Sequence, residues 1–266
     1  MSEWTEEVAL DGSRVNLNGA LRGARHVTML QVLGNPRGDF SQRCQPVTNE
    51  TLRSLISTED VGPFRATGLR PALRTLRAIF AEVKVAEPDI HDRLGTAGVL
   101  CARFVRGSAS SISNHSWGTA IDLTIDGVLD TRGDVAAQKG LLRIHKHFNN
   151  HRFYWGAAFP VEDAMHFEAS NDLILEWQAN GELGGRTPPV EGTGSLLEFG
   201  DRGAEVVALQ VMLSQVLRIR IAPDGIFGPV THASVLDFQA RNGLAADGIV
   251  GRKTLAALRE AVQALG

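Results

Sequence analysis

The segment 181–195, GELGGRTPPVEGTGS, constrains the fold more than any other stretch of the chain. Its glycines, paired prolines and polar residues sustain neither the 3.6-residue period of a helix nor the two-residue period of a strand. It reads as a linker. At 266 residues the chain also exceeds the usual single-domain size, so two domains are expected. The reading is a first domain over 1–180, a linker over 181–196 and a second domain over 197–266.

The C-terminal part holds an internal repeat. DGIFGPVTHASVLDFQ begins at Asp224 and DGIVGRKTLAAL at Asp247. Each unit is a D-G-apolar-x-G turn, then a threonine, then apolar residues at helical spacing. The turn glycines permit positive φ, and Thr231 and Thr254 stand where helix N-caps or first-turn residues belong. Upstream, GDRGAEVVALQVML (200–213) is another turn and helix, with Val206, Leu209, Val211 and Leu213 available for burial. Three short helices with glycine turns make a small all-α domain.

The N-terminal part is mixed. GLRPALRTLRAIFAEV places Leu69, Leu73, Leu76, Phe80 and Val83 on one stripe, an amphipathic helix with Pro71 near its start. GVLCARFV (98–105) and AIDLTID (120–126) read as strands, and Val135 to Asn149 as a helix. The expectation is an α+β domain with helices beside a small antiparallel sheet. Residues 1–60 show no pattern strong enough to assign.

The chemistry concentrates in SISNHSWGTAIDLTI (111–125), where His115, Gly118, Ala120 and Asp122 form H-x-x-G-x-A-x-D. Downstream, Asp163-Ala164-Met165-His166 supplies a second histidine three residues after a carboxylate. Two histidines and one carboxylate suit zinc, because three protein ligands leave the fourth tetrahedral position for water. A carboxylate that is not a ligand can take that water's proton and pass it to a leaving amine, and Asp163 stands at the right spacing. Its neighbour Glu162 is the alternative.

These motifs, S-x-H-x-x-G-x-A-x-D and D-x-M-H, resemble the zinc peptidase family of D-alanyl-D-alanine carboxypeptidases and L-alanyl-D-glutamate endopeptidases, which includes phage endolysins. The resemblance implies Zn2+ held by His115, Asp122 and His166, with Asp163 as the catalytic carboxylate. It also implies an arginine upstream of the first histidine that stabilises the developing oxyanion. Arg103 is the first choice and Arg106 the second, although the family's G-x-R-S context is replaced here by CARFVRGS. Ser113 corresponds to a substrate-binding serine, and its alternative is a loop serine bonded to backbone. The forms S-N-H-S-W-G-T-A-I-D and D-x-M-H-F-E favour the L-Ala–D-Glu bond, with D-Ala–D-Ala carboxypeptidase as the alternative. The C-terminal part resembles the three-helix peptidoglycan-binding domain. The residues that carry this are Gly200-Asp201-Arg202-Gly203, Leu209-Gln210, the two Asp-Gly turns and Phe238-Gln239. Together the resemblances imply a monomeric wall hydrolase tethered to peptidoglycan, and tethering raises local substrate concentration. A non-catalytic wall-binding protein is the competing reading, and the complete ligand set argues against it.

Other residues have plainer readings. His145, His147 and His151 are read as structural or exposed, Trp117, Trp155 and Tyr154 as aromatic core more than groove lining, and Glu168 as either an orienting partner of a histidine or exposed. Gly118 and Gly156 are read as letting backbone pass close to the metal site. The net charge of −3 gives no support for nucleic-acid binding or for electrostatic membrane anchoring. No apolar run is long enough to span a bilayer. MSEWTEEVALDGSR lacks the basic and apolar regions of a secretory signal, so holin-type release or dedicated secretion would carry the protein to the wall or periplasm. Cys44 and Cys101 form no CxxC motif and are read as two buried free thiols, with pairing open in an oxidising compartment.

Overall fold

A computed structural model describes residues 2–10, 12, 14–108, 111–183 and 197–264. The chain forms two compact units, 1–188 and 189–266. Most of the glycine- and proline-rich linker segment lies outside the described residues.

In the first unit the elements run β1 (Glu7–Ala9), α1 (His26–Leu33), α2 (Glu50–Leu55), β2 (Ile56–Asp60), β3 (Arg65–Leu69), α3 (Arg70–Ala86), α4 (Pro88–His91), β4 (Leu94–Gly98), β5 (Ala120–Ile125), β6 (Val128–Leu129), β7 (Ala136–Gln138), α5 (Lys139–Asn150), β8 (Phe153–Trp155), β9 (His166–Ala169) and α6 (Asn171–Ala179). The main antiparallel sheet has the order β4-β5-β9-β8, with β6 paired to β5. Two small antiparallel pairs, β1–β7 and β2–β3, lie outside it.

Helix α3 forms where the apolar stripe was read. Pro71 stands in its first turn, Leu73, Leu76, Ile79, Phe80 and Val83 are buried, and Pro88 follows its end. Two expectations need correction. No strand forms over 99–105: β4 lies upstream and ends at Gly98, and beyond it come only the isolated bridges Gln45↔Ala102 and Phe104↔Ile112. The helix read from Val135 begins only at Lys139, because Ala136–Gln138 are drawn into pairing with β1. Within residues 1–60, Asn18 and Arg14 bond the segment 155–159. Asn18 both donates to Trp155 O (3.0 Å) and accepts from Trp155 N (2.7 Å), and Arg14 donates to Ala157 O and Phe159 O. Cys44 and Cys101 are joined as a disulfide with Cα atoms 5.1 Å apart, not held as free thiols; the Gln45↔Ala102 bridge brings their segments side by side.

The second unit consists of α7 (Ala204–Leu217), α8 (Pro229–Arg241) and α9 (Arg252–Gln263) around Val206, Leu209, Leu213, Phe227, Val235, Phe238 and Leu258. Val211, read as available for burial, is exposed. The repeat acquires a physical meaning here. Gln210 is buried at the first Asp-Gly turn, its amide nitrogen bonding Asp224 Oδ1, Ile226 O and Thr231 Oγ1 and its oxygen accepting from Gly225 N. Gln239 does the same at the second, with Asp247, Ile249, Thr254 and Gly248. Each glutamine ties a glycine turn to the first turn of the next helix, so two identical polar staples hold a small core together. Among the described residues no helix is long and apolar enough to cross a membrane.

Candidate metal centre and active site

Sheet register builds the site. Antiparallel pairing of β5 with β9 sets Asp122 directly opposite His166, so both side chains project from one face. On the other side of β5, pairing with β4 shifts register between Thr96 and Gly98, leaving Gly98 opposite Asp122. Thr96 Oγ1 donates to Asp122 O at 2.8 Å and accepts from Gly98 N at 2.9 Å, which closes this irregularity beside the functional strand. His115 comes from a 3₁₀ turn, Asn114–Trp117, that ends on Gly118 in the left-handed region at φ 69°.

These elements bring three donor atoms together. His115 Nε2 lies 3.1 Å from Asp122 Oδ1 and 3.2 Å from His166 Nδ1, and His166 Nδ1 lies 3.1 Å from Asp122 Oδ1. Among the described residues this is the group of His, Cys, Asp or Glu side chains able to hold a metal ion. The far side of each ring is also engaged. His115 Nδ1 donates to Val99 O (3.0 Å), and His166 Nε2 donates to Glu168 Oε2 (2.9 Å). Those bonds assign the ring protons away from the cluster, so two lone pairs and a carboxylate converge on one point. That donor set fits a divalent cation. Glu168 is buried, accepting also from Asn114 Nδ2 and Ala24 N, so it is the orienting partner and not an exposed carboxylate.

The electrostatics match. Burial opposes ionisation of Asp122, but the charges and hydrogen bonds of His115 and His166 hold its carboxyl well below the ordinary carboxylate range. For His166 burial likewise opposes the charged form, and Asp122 and Glu168 together raise its affinity for a proton.

Asp163 lies on the turn leading into β9, its carbonyl accepting from His166 N at 3.1 Å. Burial pushes its carboxyl up, as does the charge of Asp122, while His166 and Arg132 act the other way. Its carboxylate accepts from Arg132 Nε at 3.0 Å. Glu162 faces elsewhere: it is buried and accepts from Gly133 N and Ala164 N, so its carboxylate is occupied in holding backbone. Arg103 is half-buried and feels both Asp122 and Asp163, with Arg106 and Arg132 as like charges nearby. Arg106 sits on the exposed turn at 106–107. Ser113 is buried at the start of the 3₁₀ turn, its backbone bonded to Arg103 O and to Ser116 N.

Gly156 passes the site closely, since a Cβ there would meet Asp163 O at 2.6 Å and His166 Cβ at 3.1 Å. Gly118 differs from its reading: its close neighbours are Gly68 and Leu69 of β3, not the metal residues. Trp117 and Trp155 are core, each bonding a carbonyl through its indole N–H (Gly34 O and Ala164 O). His145 stacks on Trp155, whereas His147 and His151 both bond Glu82 of α3, at 2.8 and 2.9 Å. Glu82 and Arg132 had no signal in the sequence, because each reaches its partner only through tertiary packing.

Residues 106–169 match the family model described as D-alanyl-D-alanine carboxypeptidase, and residues 202–258 match that of a putative peptidoglycan binding domain. Among solved structures, a Burkholderia AP3 phage endolysin is 45% identical over 24% of this chain and 24% of its own, with a TM-score of 0.23. The match spans about a quarter of that endolysin's length. The segment similar to D-alanyl-D-alanine carboxypeptidases contains His115, Asp122, Asp163 and His166, and a segment similar to a putative peptidoglycan binding domain follows it.

Proposed function

We propose that this chain is a zinc-dependent peptidoglycan peptidase that cleaves the stem peptide, at the L-Ala–D-Glu bond, while its C-terminal domain tethers it to the wall. The observation that carries the reading is the convergence of His115 Nε2, Asp122 Oδ1 and His166 Nδ1 within 3.1–3.2 Å of one another, with both rings bonded behind. His115, Asp122 and His166 would hold the zinc, which would supply Lewis acidity to polarise a peptide carbonyl and to bring a water's pKa towards neutrality. Asp163, raised by burial, accepts the water's proton and delivers it to the leaving amine. Arg103, which feels the charges of both carboxylates, stabilises the negative charge that develops on the carbonyl oxygen. Ser113 and Arg106 contact the peptide on the approach to His115.

The description of the family matched over 106–169 favours a second bond, D-Ala–D-Ala, within the same chemistry. Mass spectrometry of digested sacculi separates the two. A new N-terminal D-Glu marks the endopeptidase, and loss of terminal D-Ala marks the carboxypeptidase. Chelation of the metal, or His166→Ala, should abolish fragment release, with activity returning to the chelated protein on adding Zn2+. Full activity after either treatment would refute the metal assignment. Binding of sacculi without any hydrolysis would instead favour a wall-binding protein.

A further inference from the structure

The loop between β6 and β7 has no role in the mechanism above, yet it enters the site. Arg132 donates from Nε to Asp163 Oδ2 at 3.0 Å, and the next residue, Gly133, donates from its backbone to Glu162 Oε2 at 3.0 Å. Two consecutive acids therefore grip two consecutive loop residues. Glu162 is 1% exposed, so this anchor is internal. The loop's far end is held as well, by Leu10 N donating to Val135 O and by the pairing of β7 with β1. Arg132 is thus a placed side chain, 31% exposed, and its two Nη groups make no hydrogen bond among the described residues. Arg103 feels the charges of Asp122, Asp163 and Arg132, so two guanidinium groups serve this neighbourhood.

We propose that Arg132 binds the free α-carboxylate of the substrate residue whose amine departs. This rests on the peptidase reading with Asp163 as the base. A group that hands a proton to the leaving nitrogen must come within hydrogen-bond distance of that nitrogen. An α-carboxylate on the same residue sits one carbon away from it. A guanidinium already bonded to the base is therefore within reach of that carboxylate, and arginine's planar fork suits it. Both candidate bonds share this chemistry. D-Glu continues the stem through its side-chain carboxyl and keeps its α-carboxylate free, and terminal D-Ala ends in one. On binding, Arg132 exchanges one carboxylate partner for another and frees Asp163 to face the amine.

The test compares full-length, zinc-loaded protein and its Arg132→Gln and Arg132→Lys variants on matched peptides. One pair carries D-Glu or its α-carboxamide, D-isoglutamine, after L-Ala; the other ends in D-Ala–D-Ala or its C-terminal amide. The wild type should prefer the carboxylate member of the pair it cuts. Arg132→Gln should lower kcat/KM on that member by about 10- to 100-fold, the scale of a lost charge-assisted hydrogen bond, mostly through KM. The amide member should lose clearly less, so that the carboxylate-over-amide preference collapses, and Arg132→Lys should keep part of that preference. Inhibition by the carboxylate-bearing amine product should weaken in parallel. Equal losses on both members would mean that Arg132 only positions Asp163 and would overturn the proposal, as would an undiminished preference. A wild type that cuts no peptide of either pair overturns the peptidase reading itself.

Discussion

Gly118→Ala is the sharpest test of how the His115 turn is held. Gly118 lies at φ 69° and ψ 31°, a conformation that costs an L-residue with a side chain about 1–2 kcal/mol. Its carbonyl accepts from Leu69 N at 3.0 Å, and this bond brings the turn against β3. An added Cβ would stand 2.7 Å from Leu69 N, 2.9 Å from Gly68 Cα and 3.1 Å from Gly68 C. All three are backbone atoms, so no side-chain rotation relieves the overlap and the strand or the turn must move, at about 1–3 kcal/mol. The combined destabilisation is about 2–5 kcal/mol, which for a unit of this size lowers Tm by roughly 4–20 °C. Differential scanning calorimetry of the full chain measures it, with zinc content determined in parallel. Because His115 lies in the same turn, its carbonyl accepting from Gly118 N, metal affinity should fall as well. A variant within about 0.5 kcal/mol of the parent, the range of an innocuous surface change, would refute the reasoning, because neither the left-handed backbone nor the contact would then matter.

Three further outcomes follow from the same structure. Burial raises the Asp130 carboxyl from 3.8 to about 7. The folded state therefore holds that proton more tightly than the unfolded chain, and this contribution to stability, fully present below about pH 4, is lost as pH rises to about 7. Asp130→Asn should flatten the slope by on the order of 3–4 kcal/mol across that window, and parallel denaturation curves from pH 4 to 8 would contradict this. Gln239→Leu leaves Gly248 N buried without its partner, and should destabilise the second unit by about 1–3 kcal/mol with the first unit's transition unmoved. Gln210→Leu should match it, and a large difference between the two would break the equivalence of the repeats. Reducing the Cys44–Cys101 disulfide, which spans 57 residues, should lower stability by about 2–4 kcal/mol. A denaturant midpoint unchanged after complete reduction, verified by thiol titration, would contradict it.

What the sequence determined by itself is what short-range physics encodes. The stripe from Leu73 to Val83 specified α3 through helical period and Pro71. The two Asp-Gly turns marked the three-helix unit because glycine at positive φ is a local requirement. The H-x-x-G-x-A-x-D spacing named His115 and Asp122, since a turn ending on Gly118 leads directly into β5. Tertiary structure decided the rest. The β5–β9 register, not the sequence, set His166 opposite Asp122. Packing of the first sixty residues paired Cys44 with Cys101 and sent Asn18 to Trp155, and packing of α3 against α5 put Glu82 between His147 and His151. The loop at 130–135 became part of the site only because Glu162 and Asp163 hold it. In each case the partners are far apart in the chain, and their meeting depends on strand register and core packing, which no local window of residues specifies.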